Sequence, residues 1–442
     1  MGNEKHKIIS TPQSDIFVID NLTPEAIAMA QALYSRDPRS VTVHMDRIAE
    51  VGWQKFMASY YVGYGHKSIG DCGTTTVFAE KISLLGAKEI QNWRLYNGQE
   101  ASTRYIDFAK QEIINPLGTK EGEKILNDWM DLYNKSIEVL VPDLKIRFPI
   151  GDGEKPTTYE KAILAKAFDI ARGFLPAGVT TFASWHTNLR QAYDHIHIMK
   201  HHPLQEIKDL ASRIENSLKE KYTSSFSHKT YEEQEKYLAS SIGKTAYFDL
   251  DTVPDFDVKQ SLDLTALNKQ IEILSSRPPK TELPSQFEKY GQITFTFGLD
   301  FGSFRDIQRH RSGVCEMPIL TTKHGFHAWY MEQLPDSFRD EAVKKMEVLK
   351  NSVEKLDCDQ TVKQYYTAIG YNVACEVTYG LPASIYVAEL RSSQTVHPTL
   401  RTIAQKMGEF IKKTVPGIAI HCDMSEDIFT IKRGQQDIIK KV

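Results

Sequence analysis

Apolar positions fall along the chain in helix-like and strand-like patterns, and their order predicts the architecture. PEAIAMAQALYSR, from Pro24, has helical apolar spacing and follows Thr23, a side chain suited to cap a helix N-terminus. Longer amphipathic helices are predicted for GEKILNDWMDLYNKSIEVLVPDLKIRF from Gly122 and TYEKAILAKAFDIARGFL from Thr158. Two segments rich in Thr, Phe and Val or Ile read instead as strands: GTTTVFAEKIS from Gly73 and QITFTFGLDF from Gln292. The pattern is α+β, with more helix than sheet.

Polar stretches divide the chain. TSSFSHKTYEEQEKY from Thr223 and SSRPPKTELPSQ from Ser275 separate residues 1–222 and 284–442, leaving 223–283 as a connector with some structure of its own. The two outer regions echo each other. Each has a Thr/Phe strand followed by an I-Q-x-x-R segment, in KEIQNWRLYNG at Lys88 and FRDIQRHRSGV at Phe304. Each later has a helix and then a Pro-containing helical stretch, LRQAYDHIHIMKHHPLQEIKDLASRI at Leu189 and LRSSQTVHPTLRTIAQKMGEFI at Leu390. This order implies a duplication: two helix-rich repeats, each with a small, largely antiparallel sheet flanked by long helices.

Composition narrows the function classes. With 41% apolar and 25% charged residues the chain is ordinary globular protein, which excludes wholesale disorder. The 54 basic against 57 acidic residues give a net charge of −3, so no general nucleic-acid binder is expected. Apolar runs stay far below the ~18 residues of a membrane helix, and MGNEKHKIIS has neither a secretory core nor, with His6, a myristoylation signal. Five cysteines without metal-type spacing read as reduced thiols, and a cytoplasmic location is expected.

Candidate chemistry lies in arginine-rich motifs. The first repeat carries Gly65-His66-Lys67-Ser68, then Asn92-Trp93-Arg94, a seven-residue gap, and Ser102-Thr103-Arg104 with Glu100 just before. Farther on stand Arg172 before Leu175-Pro176, and Asn188-Leu189-Arg190. The second repeat has Arg309-His310-Arg311 and Leu390-Arg391. Together these resemble the flavin-dependent thymidylate synthases, whose pattern is G-H-x-[ST], R-H-R-x7-S with a further Arg, an Arg before Leu-Pro, N-x-R and a late L-R. Each repeat lacks what the other keeps. The first has Asn92-Trp93 for Arg-His and Met199 at the late arginine, and the second has Ile319 for the signature Ser.

The resemblance implies a nucleotide site built from two walls, one with the R-H-R segment and late Arg, the other with Glu-x-Ser-x-Arg and the Arg before Leu-Pro. It implies catalytic roles for Ser102, Arg104 and Arg172, and binding of dUMP by Glu100, Ser102, Thr103, Arg104, Arg172, Asp306, Arg309 and Arg391. FAD would be held by His66, Ser68, Arg94, Asn188, Arg190, Arg309, His310 and Arg311, with NADPH and methylenetetrahydrofolate as cosubstrates. A homodimer, four repeats in all, would recreate the family's four-subunit assembly. The family's pyrimidine-contacting Gln is replaced by Glu89 and Asp306, which leaves open another pyrimidine nucleotide, or a scaffold that kept the fold without turnover. His195, His197, His201 and His202 look like a metal cluster, but a helix does not place i and i+2 on one face, so no metal is expected.

Overall fold

The computed structural model describes residues 16–430, about 53% helical with two small antiparallel sheets, the α+β class that the pattern predicts. The N-terminal MGNEKHKIIS lies outside the described residues. The chain forms two compact units: residues up to Thr75 with Asn188–Ala192 and Ser217–Lys229, and Thr76–Thr187 with Tyr193–Asn216 and the chain from Thr230 onward. No helix among the described residues is long and apolar enough to cross a membrane.

In the first unit, α1 (Pro24–Tyr34) opens with the Thr23 hydroxyl accepting from the Ala26 N–H at 3.4 Å, and α2 (Val41–Val51) packs Ile48 against Ala26, Met29 and Ala30. The Trp53 indole donates to Glu25 at 3.0 Å beside this core. A π-helix over Met57–Gly63 then leads through Gly65, whose φ is 70°, to His66 at the start of the short Lys67–Asp71 helix.

The second unit carries the repeated element order. β1 (Thr74–Ser83) leads into α3 (Leu84–Gln91), then α4 (Lys120–Arg147), α5 (Pro156–Ala171) and a 3-10 turn at Arg172–Phe174. β2 (Thr180–Asn188) pairs with β1 and is followed by α6 (Leu189–Met199) and α7 (Gln205–Lys221). The connector supplies α8 (Glu232–Thr245) and β3 (Asp257–Gln260). The order then recurs: β4 (Gln292–Asp300), α9 (Phe301–Ile307), a short β5 (Gly313–Cys315), α10 (Asp336–Lys355), a 3-10 turn at Gln364–Tyr366, β6 (Asn372–Gly380), α11 (Leu381–Arg391) and α12 (Pro398–Thr414).

The larger sheet has the order β3-β4-β6-β5, with β4 and β6 in register from Gln292↔Gly380 to Asp300↔Asn372. Phe295, Phe297, Leu299, Val373 and Val377 are wholly buried there, a continuous apolar core. The segments preceding β2 and β6 run antiparallel to each other. Ala177 N–H donates to Thr367 O at 2.9 Å, Ile369 N–H to Leu175 O at 2.8 Å, and Pro176 lies opposite Ala368. The approach requires small residues: a Cβ on Gly178 would lie 2.8 Å from the Tyr365 carbonyl oxygen, and one on Gly370 2.6 Å from that of Gly173. The Pro-containing stretch after α6 breaks at Pro203, which cannot donate to the preceding turn, whereas Pro398 starts α12, where no donor is needed.

Candidate functional site

Each repeat turns from its first strand into a short helix through a capping side chain. Ser83 accepts from Gly86 N–H at 2.9 Å and Asp300 from Ser303 N–H at 2.8 Å. Those caps set α3 and α9 side by side: Gln308 Nε2 donates to Lys88 O at 3.4 Å, and Lys88 Nζ to Arg305 O at 3.5 Å. The segment after α3 runs along β2, with Asn97 opposite His186 and Glu100 opposite Ala183. This places the Glu100 carboxylate, fully buried, between the two helices.

Glu100 gathers cations from both repeats. Lys88 Nζ lies 2.9 Å from Oε2, the Gln91 amide donates to Oε2 at 2.7 Å, Arg305 donates to Oε1, and Arg309 stands 3.9 Å away. Burial works to raise the Glu100 carboxyl, but Arg305 and then Lys88 outweigh it and hold it at about 2. For Lys88 the balance is reversed: burial pushes its ammonium down to about 8 despite Glu100, because Arg305 and Arg309 repel it. One carboxylate shared by three cations accounts for both directions.

Beside this cluster, Arg104 forms a bidentate pair with Asp169 of α5, Nε to Oδ1 at 2.7 Å and Nη2 to Oδ2 at 3.1 Å, and donates to Thr395 O at 3.0 Å. Arg172, buried in the 3-10 turn, donates to Ser303 Oγ at 2.7 Å and to the Tyr330 hydroxyl at 3.3 Å, 3.6 Å from Asp300. Asp300 accepts from Tyr330 at 2.7 Å and Thr399 at 2.6 Å, so both of its oxygens are used. His397, beside Ser303 at 3.3 Å, is held well below its ordinary value by burial and by Arg172.

A small recess opens among Ser102, Thr103, Arg104, Arg172, Gly302, Arg305, Asp306 and Arg309, about 30 Å³ in volume. Ser102 Oγ accepts from Arg104 N–H at 3.3 Å and fixes the turn. Burial would raise the Asp306 carboxyl, but Arg391, Arg309 and Arg104 keep it at about 2. Arg391 donates to Asp306 O and to His310 Nε2, each at 2.7 Å, and burial together with Arg391 lowers His310 to about 3, so the imidazole is neutral. Arg309 is 39% exposed and bridges the recess to a cleft of about 550 Å³ lined by His310, Arg311, Tyr379, Tyr386 and Arg391. Six cations (Lys88, Arg104, Arg172, Arg305, Arg309, Arg391) thus face four carboxylates (Glu100, Asp169, Asp300, Asp306), an excess of two positive charges.

The structure therefore brings Glu100, Ser102, Thr103, Arg104 and Arg172 of the first repeat together with Asp306, Arg309, His310 and Arg391 of the second. Arg311 reaches Asn97 at 3.2 Å, and exposed Arg94 lines a further cleft of about 240 Å³ with His310 and Arg311. His66, Ser68, Asn188 and Arg190 fall in the other compact unit, where Arg190 pairs with Asp71 at 2.7 Å and Asn188 accepts from Gln191 N–H at 2.8 Å. Sequence reasoning missed Arg305, Asp300, Ser303, Tyr330 and His397. The signal for Arg305 was present, since a constant offset between the repeats places it on Lys88.

The four histidines of the 195–202 stretch have different surroundings. His195 is core, its Nε2 within 3.0 Å of Glu89 O and its ring stacked on Trp93 at 4.8 Å. His197 and His201, spaced i, i+4 and one turn apart, share a face, and both meet Glu235.

Residues 18–222 match the family model of the thymidylate synthase complementing protein. A UPF0159 protein of Chlamydia pneumoniae is 24% identical, covering 80% of this chain and 77% of the relative; another, from Thermoplasma acidophilum, is 22% identical over 83% and 87%. A flavin-dependent thymidylate synthase of Thermococcus kodakarensis is 33% identical over 79 residues, 17% of this chain and 32% of the relative. The family resemblance read from the motifs is borne out.

Proposed function

We propose that the chain methylates dUMP to dTMP in a flavin-dependent reaction, with methylenetetrahydrofolate as carbon donor and NADPH as reductant, at the recess between Arg104–Arg172 and Asp306–Arg309. The observation that carries this reading is the excess of two positive charges around a recess with a hydroxyl, Ser102, at its rim. A nucleoside monophosphate brings nearly two negative charges, and guanidinium forks bind its oxygens bidentately. The recess suits the phosphate or one polar edge, and the nucleoside extends past Arg309 into the larger cleft.

That cleft fits a flavin dinucleotide in chemistry. Arg309, His310, Arg311 and Arg391 offer donors to a pyrophosphate, and Tyr379, Tyr386, Pro382 and Val387 offer apolar and aromatic surface to a ring. Arg94, which lines the neighbouring cleft with His310 and Arg311, is assigned to the same cofactor by the family resemblance. When bound, the flavin supplies the reducing equivalents, so no cysteine nucleophile is needed. The chain's own task is electrostatic. Arg104, oriented by Asp169, and Arg172, oriented by Ser303 and Tyr330, are fixed donors for negative charge that develops on the pyrimidine C4 oxygen as C5 becomes nucleophilic.

A second reading rests on Asp306. Its carboxylate stays ionised and only accepts hydrogen bonds, whereas the family's amide both donates and accepts. This favours a pyrimidine that presents donors, such as one with a 4-amino group. Purified protein assayed for dTMP formation from dUMP, with dCMP affinity measured in parallel, separates the two. Flavin absorbance with dTMP production supports the first reading, and tighter dCMP binding without dTMP favours the second. Colourless protein that cannot be reconstituted and binds neither nucleotide refutes both. We further propose a homodimer, supported by Phe78 (76% exposed) and Phe182 (47%), large aromatics uncovered on the two-stranded sheet.

A further inference from the structure

Helix α8 of the connector poses a packing problem. Its 14 residues contribute no buried side chain, yet it lies against α6 with Glu235 turned toward that helix. Burial of apolar area therefore does little to hold it, and an amphipathic helix of this length needs tertiary anchoring to persist. What it meets, in the last turn of α6 and just beyond its end at Met199, is a pair of imidazoles. His197 and His201 are spaced i, i+4, so their rings emerge one turn apart, 5.7 Å between centroids and nearly perpendicular.

The Glu235 carboxylate sits across both rings. Its Oε2 is 2.9 Å from His201 Nε2, and its Oε1 is 3.2 Å from His197 Nε2. Oε1 is buried and has no hydrogen bond of adequate geometry, so a lone pair is left unsatisfied where the two nitrogens converge. The donor atoms of all three residues lie within 4.8 Å of one another. Ligands at the usual zinc distances of about 2.0–2.1 Å, arranged tetrahedrally, stand ~3.3 Å apart, close to the two His–Glu spacings already present.

We propose that His197, His201 and Glu235 form a site for a zinc-type divalent transition metal that clips connector helix α8 to α6. Two imidazoles and one carboxylate are the donor set that suits such an ion, and three protein ligands leave a fourth position for water. An open cleft of about 350 Å³ reaches His197 between Glu233 and Tyr237 and gives the ion and that water a path from solvent. The surroundings favour ligation. Tyr193 stacks on His197 at 5.8 Å, fixing the ring, and Lys200, which would repel a cation, is paired with Glu215. None of these residues belongs to the arginine-lined recess.

The test uses the untagged full-length protein titrated with Co²⁺ under reducing conditions, followed by displacement with Zn²⁺. The expected result is one equivalent per chain, with the intense visible bands of a four-coordinate centre. His201→Gln and Glu235→Gln should each weaken uptake at least about 100-fold while leaving the circular dichroism unchanged. Chelation should speed amide exchange in 232–245 at least ~10-fold and leave α6 protected. Absence of uptake at ~50 μM metal, or undiminished uptake by both variants, overturns the site and leaves a hydrogen-bonded His–Glu–His contact only. Uptake without any change of exchange in 232–245 overturns the clip.

Discussion

Replacing Glu100 with glutamine removes one charge from a fully buried position and keeps the side chain's shape, leaving Lys88 and Arg305 facing an amide. The carboxyl falls from 4.5 to about 2 in the folded chain, 2.5 units, and at ~1.36 kcal/mol per unit this is about 3 kcal/mol of stability at neutral pH. The figure agrees with the roughly 3–5 kcal/mol lost when one partner of a buried ion pair is removed. A group whose folded value lies below its unfolded one contributes stability that is complete above about pH 4.5 and is lost as pH falls toward 2. Glu100→Gln should therefore unfold earlier in urea at pH 7, and its deficit should shrink toward pH 2. With ~2.1 cal/mol/K per residue over 442 residues, the loss lowers Tm by roughly 3 °C. Lys88 points the other way. Its ammonium, forced down to about 8, costs stability below that pH, a cost that fades between 8 and 10.5. Lys88→Met alone should then be near neutral, and in the Glu100→Gln background it should recover part of the loss by removing a stranded cation. A Glu100→Gln deficit below 1 kcal/mol at pH 7, or no recovery in the double variant, would show that the cluster does not carry these energies.

Arg309→Ala removes a partly exposed guanidinium whose ion-pair partners stand no nearer than 3.9 Å, so stability should change by less than ~0.5 kcal/mol. Its dUMP affinity in calorimetry should fall by about 1.5–3 kcal/mol, and unchanged affinity removes Arg309 from the site. Arg391→Ala and Arg104→Ala should weaken dUMP binding to a similar degree, whereas Trp93→Phe and Met199→Leu should leave it intact; normal binding by Arg391→Ala refutes the composite site. Light scattering should report a dimer at micromolar concentration that Phe182→Asp converts to monomer, and a monomeric parent protein sinks that assignment.

The element order was legible because long helices and the two Thr/Phe strands carry strong local patterns, and Thr23, Pro203 and Pro398 act where the chain enters or leaves a helix. The arginine motifs were legible through their ordered spacing. The carboxylates that orient those arginines were not. Asp300 reads locally as the end of a strand, and only tertiary packing brings Thr399 of α12 and Tyr330 of the short Ala328–Glu332 helix to it. The His197–His201 face was missed for a different reason: adjacent and i, i+2 histidines drew attention from the i, i+4 pair, and Glu235 lies on a connector helix that no local pattern ties to α6.

The asymmetry of the site follows from one lost carboxylate. The offset that maps Ser83 onto Asp300 maps Lys88 onto Arg305, Glu89 onto Asp306 and Asn92 onto Arg309, and maps Glu100 onto Met317, Ser102 onto Ile319 and Arg104 onto Thr321. Two equivalent cations, Lys88 and Arg305, therefore have one acidic partner between them, and both turn to Glu100. Where the second carboxylate would stand, the Met317 sulfur meets only the Gln308 amide at 3.9 Å. Trp93, at the position of His310, is partly buried and stacks on His195. A duplicated chain whose equivalent walls had both survived would place two anion sites about its pseudo-symmetry axis, each with guanidiniums at its edge. Concentrating the charge excess on one side leaves one recess edged by guanidiniums, the arrangement that the proposed single dianion per chain requires.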